Sequence, residues 1–193
     1  MLLGIVLWNF FSEVTNTGLS AIVERGDVIR KINFPKYVII LSSSILAFIN
    51  LVLNFVVIGI FMTISGVQLN WSALVLPLPI IELLVFALGL SFILSAIYVK
   101  LRDMNYIWEI IMQALFYGSA VIYPIVMVIE ESSFLAKVLL LNPIAQSIQD
   151  ARHLFVTDTT PTLFNMTGNF WITLIPIAIV ITTFIVGAVY FKK

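Results

Sequence analysis

The chain has 193 residues, of which 61% are hydrophobic and 10% charged, against about a quarter charged in a typical soluble protein. A soluble domain of this size has too much surface to hide that much apolar side chain, and intrinsic disorder requires the opposite composition. Ten basic and ten acidic residues cancel, so there is no basic excess for nucleic acid, and the absence of cysteine removes disulfides, thiolate metal sites and cysteine nucleophiles. With a mean hydropathy of +1.12, the composition fits an all-α integral membrane protein, a polytopic helical bundle.

A helix needs about 20 apolar residues to cross the hydrocarbon layer. Met1–Ser12 is apolar, and after the polar stretch from Glu13 to Gly18 the chain continues as Leu19-Ser20-Ala21-Ile22-Val23. Joined, these make a first span in which Glu13 and Asn16 face protein. It begins like a span already under way, so a native chain that starts upstream, or a truncated reading frame, is expected, and Met1-Leu2-Leu3 makes a poor signal peptide, without a basic flank or a small-residue cleavage site. A cytoplasmic loop over about residues 22–36 comes next. Between Lys36 and Glu82 lie 45 uncharged residues, broken by the polar island Ser65-Gly66-Val67-Gln68-Leu69-Asn70, so two spans are expected at about Tyr37–Ser65 and Ser72–Val99. The tight turn Lys100-Leu101-Arg102-Asp103 leads to a fourth span, about Ile107–Ile129. In that turn Arg102 and Asp103 can pair, or Asp103 can cap the helix that follows.

A long polar region, about 130–169, contains Phe134–Leu141 and Ile144–Phe155, both too short to cross and linked by Asn142-Pro143 as turn and helix start. They are expected to lie at the outer interface or to dip into it. The fifth span is about Phe170–Phe191, and the whole of 1–193 is one transmembrane domain. Eight of the ten basic residues fall in the first loop, the tight turn and the C-terminus, which places these segments in the cytoplasm. The four tryptophans sit near span ends, as an interfacial aromatic belt does.

The chain has no phosphate-binding glycine loop and no metal motif, and its one histidine, His153, reads as a polar residue of the outer loop. The protein is therefore a conduit rather than an enzyme. Glu82 lies about ten residues inside its span, and an ionisable group there is a functional candidate by default. Asn50 and Asn54 share one face of the second span, where they suit interhelical hydrogen bonding. In the first loop Val28, Ile29 and Ile32 form an apolar ridge, with Arg25, Arg30 and Lys31 off it and Phe34-Pro35 resetting the chain. Such a helix can dock in a groove of a soluble partner or lie on the membrane surface.

Taken in order, Trp8-Asn9-Phe10-Phe11, Lys31 with Phe34-Pro35, Arg102-Asp103, Tyr123-Pro124, and Asn142-Pro143 followed by Arg152 resemble the membrane subunit of type-two ABC exporters, the permeases for O-antigen, capsular polysaccharide or teichoic acid. The resemblance covers nearly the whole chain, apart from the amphipathic N-terminal helix and first span of a six-span member. It implies a homodimeric permease of the bacterial or archaeal plasma membrane that carries a lipid-linked glycan. ATP and Mg would be bound by a separate cytoplasmic ATPase, with no cofactor on this chain. Coupling to that ATPase would fall to Arg25, Val28, Ile29, Arg30, Lys31, Phe34 and Pro35, and the outer helices would gate the exit. Trp8, Phe10, Phe11, Phe116, Tyr117 and Tyr123 offer aromatic faces for sugars along the path. The competing possibility is an ATP-independent carrier or a membrane assembly factor that depends on Glu82.

Overall fold

The structure, a computed structural model, describes residues 1–26, 35–64, 71–155 and 160–192. Among these the elements are helical: α1 (Leu2–Glu24), α2 (Tyr37–Ile64), a 3-10 turn (Trp71–Val75), α3 (Pro77–Lys100), α4 (Met104–Tyr117), α5 (Ile125–Glu131), α6 (Ser133–Leu140), α7 (Pro143–Phe155), α8 (Leu163–Thr167) and α9 (Phe170–Lys192). Three stretches are long and apolar enough to cross a membrane: Tyr37–Ile64, Ser72–Lys100 and Phe170–Lys192. Helix α1 matches them in reach with its 23 residues, but carries Asn9, Ser12, Glu13, Thr15, Asn16 and Thr17. Several of its polar groups are absorbed within the protein. Thr15 and Thr17 donate to the Phe11 and Glu13 carbonyls at 2.9 and 2.6 Å, and Asn50 of α2 donates to Glu13 Oε1 at 2.7 Å. Asn50 is thus the interhelical link that its position suggests, while Asn54 bonds back to its own helix.

The core forms around α3, which packs on α1, α9 and α7, while α2 covers the other side of α1. Without a hydrophobic force between helices in lipid, close packing of small residues carries their association. At the α3–α9 crossing Gly89 meets Gly187, so the two backbones touch: a Cβ on Gly89 would stand 2.8 Å from Phe184 Cα, and one on Gly187 would collide with the Gly89 carbonyl. Where α1 crosses α3, Gly18 leaves room for Ser91, whose Oγ is 3.1 Å from the Val14 carbonyl. Phe11 stacks on Phe86 and Phe92 meets Phe191, so α1, α3 and α9 run in one direction. Helix α2 runs the other way, with Arg25 bonded to Ser42 and Phe10 against Phe48. Arg25, Lys36, Lys100 and Lys192 therefore gather at one end of the bundle.

The fourth expected span is corrected by the structure. Helix α4 stops at Tyr117 after 14 residues, about 21 Å at 1.5 Å per residue, which is too short to cross. The chain turns through Gly118–Pro124, with Ala120 at φ 49°, and resumes as α5. Pro124 has no N–H to continue the helical bonding, and the turn is held by hydrogen bonds from elsewhere. The Asp103 side chain makes no capping bond on α4, although its carbonyl accepts from Tyr106 N at 3.1 Å, and Arg102 lies over the Tyr98 ring. Asn142 does open α7: its Oδ1 accepts from Ile144 N at 3.1 Å and its Nδ2 donates to Ser119 Oγ at 3.0 Å.

The glycine crossing makes a direct prediction. Gly187→Leu should lower the melting temperature of the detergent-purified protein by several degrees, because overpacking typically costs about 1–3 kcal/mol. Gly59→Ala, at a position with open space, should leave it unchanged.

Candidate functional site

Two polar-aromatic stripes face each other across α1 and α4. On α1, Ile5, Trp8, Asn9, Ser12 and Asn16 fall at steps of three and four residues and so share one face. On α4, Asn105, Glu109, Met112, Gln113, Phe116 and Tyr117 do the same. Helix α4 buries only Trp108 and Met112, so it stands away from the bundle and leaves a groove of about 770 Å³ between the stripes. Trp8 and Phe116 meet edge to face at 5.3 Å, and Phe116 meets Tyr117 at 5.7 Å. Asn16 donates to Ser12 Oγ at 3.1 Å, while the Asn9 and Tyr117 side chains are exposed. The surface offers amide donors and acceptors, a carboxylate and aromatic faces within one cleft, a combination suited to a polyhydroxylated ligand.

One end of the groove is fixed by Arg152 of α7. Its Nη1 donates to the Ala120 carbonyl at 3.0 Å and its Nη2 to the Val121 carbonyl at 2.6 Å, and Nη1 lies 3.5 Å from the Tyr123 carbonyl. The guanidinium is buried, which pushes its pKa down, yet an arginine stays protonated. It fits because Gly4 of α1 has no side chain: a Cβ there would collide with Nη2. The Tyr123 hydroxyl donates to the Tyr117 carbonyl at 2.7 Å, closing the turn from the other side.

Of the residues proposed from sequence for a path, Trp8, Phe116 and Tyr117 line the groove, and Tyr123 braces its end. Phe10 and Phe11 are buried elsewhere, against Phe48 of α2 and Phe86 of α3. Of the coupling residues, Arg25 donates to Ser42 Oγ at 3.3 Å, and the Pro35 carbonyl accepts from Val38 N at the start of α2. Val28, Ile29, Arg30, Lys31 and Phe34 lie outside the described residues.

The family model for the ABC-2 type transporter matches residues 1–156. The chain belongs to the ABC-2 type transporter family. Among curated relatives, the O-antigen export system permease protein RfbA of Myxococcus xanthus is 29% identical over 161 residues, 83% of this chain and 62% of that protein. A protein of the same name from Klebsiella pneumoniae is 26% identical over 161 residues, 82% of this chain and 61% of that protein. The ABC-2 chain thus spans about three fifths of the length of these relatives.

The amide stripe was not legible in the sequence as a site. Asn9, Asn16, Asn105 and Gln113 are scattered over two helices, and only the packing turns them toward each other. A second polar cluster was half visible. Glu82 of α3 shares a cavity of about 150 Å³ with Asp150 and His153 of α7. His153 is part of that helix rather than of a loop, with Nδ1 2.9 Å from the Thr160 carbonyl. Among the described residues no three side chains of His, Asp or Glu are placed to hold a metal ion, Glu82, Asp150 and His153 included.

Burial pushes the Asp150 carboxyl up to about 6 from 3.8, against the opposing pull of a Gln146 hydrogen bond and His153. The folded ABC-2 chain then holds a proton that the unfolded chain releases between these values. This contribution favours folding most below about pH 4 and is lost as pH rises through 6. Asp150→Asn should raise the melting temperature at pH 7.5 and flatten its pH dependence between 4 and 7, measured by thermal unfolding in detergent.

Proposed function

We propose that the protein is the permease subunit of an ATP-driven exporter in a bacterial or archaeal plasma membrane, acting as two copies and moving a lipid-linked polysaccharide outward. ATP and Mg would be bound by a separate cytoplasmic subunit. Membership of the ABC-2 family and the O-antigen export role in the relatives' names support this, and favour an O-antigen-like glycan over a teichoic acid. The observation that carries the substrate class is the α1–α4 groove. A sugar chain leaving water needs hydrogen-bond partners for its hydroxyls, which Asn9, Asn105 and Gln113 can supply, and flat apolar surface for its C–H faces, which Trp8, Phe116 and Tyr117 can supply. Phe10 and Phe11 contribute by fixing how α1 sits. The ATPase would act on the segment carrying Arg25, Val28, Ile29, Arg30, Lys31, Phe34 and Pro35. Arg25 already ties that segment to α2 through Ser42, so a push there reaches two helices.

Reconstitution with the cognate ATPase tests both parts. Asn9→Ala with Gln113→Ala and Tyr117→Ala should cut ATP-dependent glycan export into vesicles by about tenfold, the loss of ~1.4 kcal/mol of interaction, with ATPase co-purification intact. Arg25→Glu with Lys31→Glu should instead reduce co-purification. Wild-type export from the groove variant would remove the path, and unchanged co-purification would remove the coupling site.

A further inference from the structure

On the face of the bundle away from the α1–α4 groove, a second cleft of about 700 Å³ runs between α2 and the α3–α9 pair, within the roughly 300–1,000 Å³ range of small-molecule sites. Its origin is the glycine crossing. Gly89 and Gly187 pull α3 and α9 together, and beyond that point the larger Phe92, Phe184 and Phe191 spread as a floor, with ring centroids 6.2 and 5.1 Å apart. Leu41 of α2 forms the opposite wall, Leu88 and Phe184 lie at the deep end, and Ala188 sits one turn nearer the mouth. From Phe184 to Lys192 is eight residues along α9, about 12 Å, most of one leaflet of a hydrocarbon core roughly 30 Å thick.

The open end has a different character. Lys36 and Lys192 stand there, one before α2 and one at the end of α9, and among the described residues no acidic side chain lines the cleft. Neither ammonium has an ion pair or a side-chain hydrogen bond with any described residue. Tyr37, half exposed, adds a hydroxyl at the same level. An apolar slot of leaflet depth beneath two cations that have no partner among the described residues matches one class of molecule: an acyl chain below a phosphate. We infer that this cleft is a binding site for a resident anionic phospholipid of the surrounding leaflet. Its acyl chain lies over Phe92 and Phe184, and its phosphate bridges Lys36 and Lys192. A zwitterionic lipid fills the slot equally well but gains less from the cations. Two lysines near an anionic head favour it by about thirtyfold in total. The site would tie the end of α9 to the start of α2. It depends only on the chain spanning a membrane, so it stands or falls separately from glycan export.

Native mass spectrometry of the delipidated protein titrated with phosphatidylglycerol or phosphatidylcholine of identical chains tests this. At least a tenfold preference for phosphatidylglycerol is expected for one bound lipid. Lys36→Gln with Lys192→Gln should abolish the preference while leaving phosphatidylcholine binding as it was. Ala188→Trp, which fills the slot, should release that lipid, and melting curves confirm that each variant is folded. Equal binding of the two lipids would overturn the site, as would a preference that survives the lysine double variant or persists in folded Ala188→Trp. A polyprenyl diphosphate that outcompetes phosphatidylglycerol would overturn the assignment to a resident phospholipid.

Discussion

The buried Arg152 guanidinium holds together what an ordinary membrane helix would not tolerate. When α4 stops at Tyr117, the carbonyls of the following turn lose their helical partners, and each unsatisfied group in an apolar setting costs several kcal/mol. Arg152 supplies donors to two of them, Ala120 and Val121, from a helix some 30 residues later in the chain. Five fixed N–H groups on a planar head suit this task, and a lysine could not span the same carbonyls with the same geometry. The bargain requires three helices at once: α7 to carry the arginine, α4 to end, and α1 to offer Gly4 as the space in which the head sits. Asn142 reinforces the arrangement by bonding to Ser119 of the same turn while opening α7.

The groove follows from that constraint. A continuous fourth span would have a full-length face to bury, whereas a helix of 14 residues ending in a fixed turn stays apart from α1 over most of its length. The polar residues of both helices then share water or a ligand rather than each other. The rest of the bundle supplies stiffness. Helices α1, α3 and α9 are locked in the same direction by Gly18 against Ser91 and Gly89 against Gly187, and α2 closes the side through Glu13–Asn50 and Arg25–Ser42. Movement relative to that body falls to α4, which buries only Trp108 and Met112, whereas α7 is packed into the body through most of its length.

Much of the fold was readable from charge alone. The spans at Tyr37–Ile64 and Phe170–Lys192 lie within a residue of where uncharged stretches place them, because crossing a membrane sets a length and a composition. The short helices around Asn142-Pro143 were readable for the same reason, being too short to cross. The break after Tyr117 was not. Ile107–Ile129 is almost free of charge, Pro124 is compatible with a mere kink, and the residue that decides the matter is distant in sequence. The groove was legible only through its aromatics. Phe10 is two residues from Trp8, about 200° around the helix, so it had to face another neighbour. Which one, and which amides face Trp8, depends on the rotation of α1 against α4.

A double-mutant thermodynamic cycle between Gly4→Ala and Arg152→Leu, measured by unfolding of the purified protein, tests this dependence most directly. The added methyl should be costly beside the guanidinium and much cheaper without it, giving a coupling energy of about 1 kcal/mol or more. Additive effects of the two substitutions would show that Arg152 does not hold the turn through the space Gly4 leaves, and the account of the broken span would fail with it.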